Sequence, residues 1–213
     1  RPDAQYASKE CARGMSSPTA QDLMRLKRLA RYYIGTKDYC LYLEPNKFDG
    51  WRVIVPVDSD WAADKIGRKS TSCGMIFLNG ALVHSWVRTQ PTVAISAPEG
   101  ELNAIGTGAC EALGLKTILS EIGVDIVPEL ESDSSTGISI SSRIGLGRVK
   151  HLQIKQLFIQ ELVKDGRITM TKVPTAENVA DLGTKYLEQN VFNKHRRAAG
   201  VRPAKDEQEA GIR

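Results

Sequence analysis

The sequence predicts an α/β fold, a mixed five-stranded sheet flanked by helices and preceded by a small helical segment. Three observations carry this. From Gly50 the apolar pattern turns to period two, and the runs "CGMIFL" and "ALVHSWV" flank Asn79-Gly80, a strong short-range hairpin signal. A long stretch after Ser96 then takes up helical periodicity. Beyond it, strand-like and helix-like segments alternate, as in strand–helix–strand units with parallel pairing. A three-strand meander followed by such units gives a mixed sheet with helices on its faces.

The elements follow in chain order. "SSPTAQDLMRLKRLARYYIG" reads as a helix, capped by Ser17, with Pro18 in its first turn and Gly35 as its stop. Its apolar face is Leu23, Leu26, Ala30 and Tyr33; Arg25, Lys27, Arg28 and Arg31 make the remainder cationic. "RVIVPV" is a strand whose Pro56 indicates an irregular or edge position. The hairpin strands come next. Ser96 and Glu99 then form a capping-box pattern, S-x-x-E, at the head of the long helix. Leu102, Ile105, Ala109, Ala112, Leu119 and Ile122 trace its buried stripe, and Gly106 and Gly108 weaken it unless close packing compensates. "DIVPEL" is a short strand ending in "ESD", and "SSTGISISS" a short helix or turn. "RIGLGRVKH" is a Gly-rich basic loop, followed by an amphipathic helix with Leu152, Phe158, Ile159, Leu162 and Val163 inward. "RITMTKV" is a strand, and "PTAENVADLGTKYL" closes the domain as loop and helix.

Composition sets the outer limits. The chain has 213 residues, 41% hydrophobic and 25% charged, ordinary for a globular protein, with room for one substantial domain and a smaller piece. A net charge of +4 permits a nucleic-acid partner without demanding one. No apolar run reaches membrane-spanning length. The four cysteines stand singly, with no CxxC pair or Cys/His cluster, which argues against structural zinc and fits a reducing compartment. The chain opens at Arg1 without Met, as a piece of a longer protein would.

The acids fall at informative places. Asp58 ends the first long strand, Glu101 sits in the first turns of the long helix, Asp133 ends the fourth strand, and Asp181 begins the last helix. If the first and fourth strands are neighbours, Asp58 and Asp133 lie side by side at one end of the sheet. Four converging carboxylates without basic partners are unfavourable unless cations neutralise them. Hard oxygen ligands select Mg²⁺ or Mn²⁺. Two such ions, roughly 4 Å apart, suit in-line phosphodiester cleavage. Asp58, Asp60 and Asp64 also match the first positions of a calcium loop, but Ala63 replaces its turn glycine and Lys69 its closing glutamate. Asp60 and Asp64 read as structural or solvated, and Glu99 as a cap residue.

The stretches "VDSDWAADKIGRKSTSCGMIFLNGALVHSW", "AISAPEGELNAIGTGACEALGLK", "SDSSTGI", "VKHLQIKQLFIQELVKDGRITMTKVP" and "NVADLGTK" resemble the ribonuclease H domain of copia-type LTR retrotransposon Pol polyproteins. Residues before Lys37 resemble the tail of the preceding reverse transcriptase. The motifs are collinear from about Asp58 to Lys185, with Pro98, Gly100 and Gly183 departing from the family's usual wording. The resemblance implies a ribonuclease H-like fold and four catalytic, metal-holding acids: Asp58, Glu101, Asp133 and Asp181. It implies two Mg²⁺ ions, with Mn²⁺ as a substitute, and an endonuclease cleaving the RNA strand of RNA·DNA hybrids during reverse transcription. The alternative is a degenerate module that binds nucleic acid without cleaving it. Expected partners are the hybrid and the remainder of a Pol polyprotein, with no membrane. The expected setting is intracellular: cytoplasm, virus-like particles or nucleus.

Arg143, Arg148, Lys150 and His151 are candidate phosphate contacts, because the glycines between them let backbone amides approach an anion. The expected organisation is a helical reverse-transcriptase tail over 1–49, a ribonuclease H-like domain over 50–192, and a basic, polar, disordered tail over 193–213.

Overall fold

The structure, a computed structural model, describes residues 1–46, 50–143 and 153–204. The helices are α1 (Gln5–Arg13), α2 (Ala20–Gly35), α3 (Ala97–Glu121), α4 (Ser135–Ser142), α5 (Gln153–Lys164) and α6 (Gln189–Ala198). The strands are β1 (Tyr39–Leu41), β2 (Val53–Ser59), β3 (Thr71–Leu78), β4 (Ala81–Thr89), β5 (Glu129–Ser132), β6 (Thr169–Lys172) and β7 (Val201–Pro203). Short 3-10 turns cover Thr175–Glu177 and Val179–Gly183. The expected five-stranded mixed sheet is present, in the order β4-β3-β2-β5-β6.

Sequence chemistry accounts for the hairpin. Asn79 and Gly80 hold φ of 47° and 85°, the double left-handed turn whose twist matches two antiparallel strands. Strand β2 is central rather than an edge, with β3 antiparallel on one side and β5 parallel on the other. Pro56, which has no N–H to give, falls between the Ile54–Phe77 and Val57–Gly74 pairs of one continuous β2–β3 register and pairs with Glu131 of β5 on its other side, so it is neither an edge nor a break.

Helix α3 covers one face of the sheet. Val53, Val55, Val57 and Leu130 meet Leu102, Ile105, Ala109 and Ala112, with Ile159 and Leu162 of α5 completing the core. The expected stripe runs out at Ile122, which is 70% exposed because the helix ends there. Close packing does account for Gly108: a Cβ there would stand 2.6 Å from Val57 Cγ1. Phe158 is partly exposed instead of buried. Leu152 lies outside the described residues.

Two further expectations are overturned. Residues 193–204 are not a disordered tail. Helix α6 carries buried His195 and Arg196, and β7 pairs antiparallel with β1. Composition misled because the cations here are used internally: Arg196 Nη1 donates to Val201 O at 3.3 Å and its guanidinium lies 4.4 Å from the Tyr39 ring. Ala180, Leu182 and Ala199 then cover the second face of the sheet, over Cys73, Met75 and Leu82. The second correction concerns α2. Its cap is Thr19, in a reciprocal box with Asp22, and not Ser17. Its predicted inner face is exposed, with Leu23 and Leu26 at 52% each, while Leu29 and Tyr32 are the partly covered side chains.

The N-terminal segment is fastened to the sheet. Lys9 Nζ donates to Thr71 Oγ1 at 2.6 Å, Arg13 pairs with Asp64, and the Tyr6 and Tyr186 rings lie 5.0 Å apart.

Candidate active site

The parallel register of β2 and β5 builds the site. It pairs Ile54 with Glu129 and Pro56 with Glu131, and two residues further on the same offset sets Asp58 beside Asp133. Ser134 caps α4 immediately afterwards by accepting from Gly137 N at 3.0 Å, so Asp133 is held in a tight strand-to-helix turn. Glu101 comes from the first turns of α3. One carboxylate oxygen each from Asp58, Glu101 and Asp133 lie within 4.8 Å of one another. Sequence reasoning predicted all three.

Burial and mutual repulsion shape their electrostatics. Asp58 is 4% exposed. Its carboxyl is pushed up to about 7, by burial first, with Asp181 and Asp133 adding to it and the Thr184 hydrogen bond and Lys185 opposing. Glu101 is pushed up to about 9, again by burial and then by Asp58 and Asp133. Glu101 Oε2 is buried with no hydrogen-bond partner among the described residues. A buried carboxylate oxygen left unsatisfied among like charges is the arrangement that a hard cation would complete.

Asp181 stands apart from the trio. It is buried in the 3-10 turn Val179–Gly183, and its Oδ1 meets Lys185 Nζ at 2.7 Å. It is near enough to raise both Asp58 and Glu101. Around it are residues to which sequence reasoning assigned no role. Thr184 Oγ1 donates to Asp58 Oδ2. Asn178 Nδ2 donates to Val57 O at 3.0 Å, and Asn178 Oδ1 accepts from Ala180 N at 3.2 Å, tying the turn to β2. The signal for Lys185 was its i,i+4 spacing from Asp181; nothing local marked Thr184 as a partner of a residue so far up the chain.

The other candidates resolve as follows. Asp60 is structural: Oδ1 accepts from Thr71 N at 3.0 Å and Ala63 N at 3.4 Å. Asp64 accepts from Ile66 N at 3.1 Å and pairs with Arg13. Glu99 caps α3, but through Ile95 N at 2.7 Å, since the Ser96 side chain makes no cap bond. Gly183 is required where it stands: a Cβ would meet Cys73 Sγ at 2.4 Å and Val87 Cγ2 at 2.6 Å, so its departure from the family's wording matches this chain's own packing. Arg143 is the half-buried C-cap of α4. Arg148, Lys150 and His151 lie outside the described residues.

Two aspartates at the ends of adjacent parallel strands and a glutamate from the helix above them, in a β4-β3-β2-β5-β6 sheet, define an α/β protein of the ribonuclease H fold. A solved ribonuclease H1 isolated from compost superposes with a TM-score of 0.51 and 13% identity, over 67% of this chain and 96% of that one. No family model matches the chain. Its relatives are more specific: the retrovirus-related Pol polyprotein from transposon RE1 of Arabidopsis thaliana, 28% identical over 94% of this chain and 14% of that protein, and the one from transposon TNT 1-94 of Nicotiana tabacum, 29% identical over 94% and 15%. The homologues found over 94% of this chain are thus retrovirus-related Pol polyproteins of copia-type transposons, and the chain spans 14–15% of their length.

Proposed function

We propose that the chain is the ribonuclease H unit of a retrotransposon Pol polyprotein, a metal-dependent endonuclease that cleaves the RNA strand of RNA·DNA hybrids during reverse transcription. The observation that carries this reading is the convergence of Asp58, Glu101 and Asp133 on a ribonuclease H fold in a chain homologous to Pol polyproteins. The oxygen-only donor set and the orphaned Glu101 Oε2 fit Mg²⁺, with Mn²⁺ as a substitute. Mg²⁺, when bound, supplies an activated water and charge for the departing 3′ oxygen.

The chain's own residues do the rest. Asp58, Glu101 and Asp133 hold the cation, and Asp181 joins them from the flank as the fourth acid. Thr184 fixes the Asp58 carboxylate by donating to one oxygen and leaves the other for the cation. Asp133 orients the attacking water. The 2′-hydroxyl marks the RNA strand. Arg143, Arg148, Lys150 and His151 contact backbone phosphates, and charge reversal at Arg148 and Lys150 should weaken hybrid binding and flatten its salt dependence.

By this reading residues 1–49 derive from the end of the reverse transcriptase and 50–192 form the nuclease unit. No described helix is long and apolar enough to cross a membrane; the setting is the reverse-transcription complex, in the cytoplasm, virus-like particles or nucleus.

The deciding experiment incubates the chain with a labelled RNA·DNA hybrid in Mg²⁺, Mn²⁺ or Ca²⁺. Cleavage of the RNA strand in Mg²⁺ or Mn²⁺, lost in Asp58→Asn, is the expected result. Tight hybrid binding without cleavage in any metal would replace it with the binding-module reading.

A further inference from the structure

The four acids are not equivalent, and the difference has one cause. Three offer oxygens to a common point, while the fourth, Asp181, is engaged by an ammonium. Lys185 follows Asp181 by four residues and follows directly on Thr184, which donates to Asp58. One short segment, Asp181 to Lys185, therefore delivers an acid, a hydroxyl and a cation to the same site.

Its anchoring is firm on one side and loose on the other. Asp181 and Thr184 are buried, and Asn178 ties the turn to β2. The Lys185 side chain keeps 45% of its surface exposed. Four flexible bonds separate its ammonium from the backbone, so it can leave for water while Asp181 stays in place. Its charge also reaches beyond its partner. Burial pulls the Lys185 ammonium down, but the Asp181 bond and the charges of Asp58 and Asp133 raise it further.

We propose that Lys185 is a tethered cation that occupies Asp181 and so makes the site take up divalent ions in two unequal steps. The first ion enters the Asp58–Glu101–Asp133 group with the Lys185–Asp181 pair intact. The second requires Asp181 and binds only when Lys185 releases it. Lys185 is thus a positioning residue that tunes occupancy of the second position. The proposal rests on the metal-dependent reading above.

The energetics give the expected size. A ligand that binds only the minor, released form has its apparent affinity reduced by the population of that form. An ion pair of this exposure leaves the released form at about one sixth, so removing the ammonium should tighten the second step about sixfold. A general field effect predicts something else: loss of one positive charge close to all four acids would tighten both steps alike.

The test is Mn²⁺ binding, counted by the loss of free-ion electron paramagnetic resonance signal, for the unsubstituted chain, Lys185→Met and Lys185→Arg, without nucleic acid. Thermal melts confirm that each variant is folded. Two steps in the unsubstituted chain, a second step about sixfold tighter in Lys185→Met with the first moved much less, and two-step binding retained in Lys185→Arg are the expected results. In a parallel assay, the Mn²⁺ concentration giving half-maximal hybrid cleavage should fall in Lys185→Met. Equal tightening of both steps, or an unchanged second step, overturns the proposal and leaves the metal reading standing. Absence of Mn²⁺ binding by the unsubstituted chain overturns both. Should Lys185→Met fail to fold, Lys185→Gln replaces it with the same expectations.

Discussion

Without metal, the site should work against the fold, and Asp58→Asn should reveal by how much. The carboxyl of Asp58 moves from an ordinary 3.8 to about 7 on folding. Between about pH 4 and about pH 7 the unfolded chain has released this proton while the folded chain retains it, so stability falls as pH rises. Three pH units at about 1.4 kcal/mol each give a penalty of about 4 kcal/mol by pH 8. Glu101, pushed up to about 9, extends the same downward slope to higher pH. An asparagine at position 58 keeps the shape and can still accept from Thr184, but its amide must be desolvated, so about half of the penalty should be recovered. For a chain of this size about 2 kcal/mol corresponds to a Tm increase of about 4–8 °C. The assay is thermal melting by circular dichroism in EDTA from pH 4 to pH 9. Asp58→Asn should melt above the unsubstituted chain at pH 8 and lose that advantage toward pH 4. Adding Mg²⁺ at pH 8 should raise the unsubstituted chain and leave the variant nearly unmoved. An Asp58→Asn chain that melts lower at pH 8, or whose advantage does not change with pH, would refute the reasoning.

Four other changes have defined outcomes. Thr184→Val removes the hydroxyl that fixes Asp58 and should weaken Mn²⁺ binding about 10–100-fold with little change in melting at pH 5. Asp60→Asn should retain most hybrid cleavage, since an amide oxygen can still accept from Thr71 and Ala63; loss of cleavage comparable to Asp58→Asn would mean the wrong acid has been chosen. Gly183→Ala should destabilise by about 1–3 kcal/mol in urea melts, because the added methyl collides with Cys73 and Val87. His195 is buried with both ring nitrogens unpartnered among the described residues, and burial followed by the Lys194 and Lys185 charges lowers its pKa below the usual 6.5. The unfolded chain therefore takes the proton first as pH falls below about 6.5, and stability drops; His195→Phe should flatten that acid limb, read from melts between pH 7 and pH 5.

What the sequence revealed depended on how local the cause was. The Asn79-Gly80 turn, the stripe of α3 and the strand-end acids are each set by neighbours in the chain, whereas the β2–β5 pairing that joins Asp58 to Asp133 is a contact between distant segments that the sequence posed only as a condition. The missed features depend on distant partners. Thr184 matters because of Asp58, Gly183 because of Cys73, and the order of residues 193–204 because Tyr39 and Val201 lie on paired strands. The basic composition of that last stretch resembled a solvated tail, and only the ring beneath Arg196 shows where one of its charges goes. The exposed Leu23 and Leu26 mark the opposite error, an amphipathic pattern with no partner among the described residues.

The small β1–β7 sheet also decides how the molecule meets a mechanical load. Tyr39 pairs with Pro203 and Leu41 with Val201, so the segments leading into β1 and out of β7 leave from the same end of the ladder. Tension applied through those two segments peels the rungs open one at a time, beginning at Tyr39–Pro203, instead of shearing them together. The two-stranded sheet should therefore yield at low force while the five-stranded sheet is still unstretched. Its opening first loosens Arg196 from Tyr39 and then the α6 cover over Met75 and Leu82, so the face of the sheet behind Asp58 is stripped before the acidic trio itself comes apart.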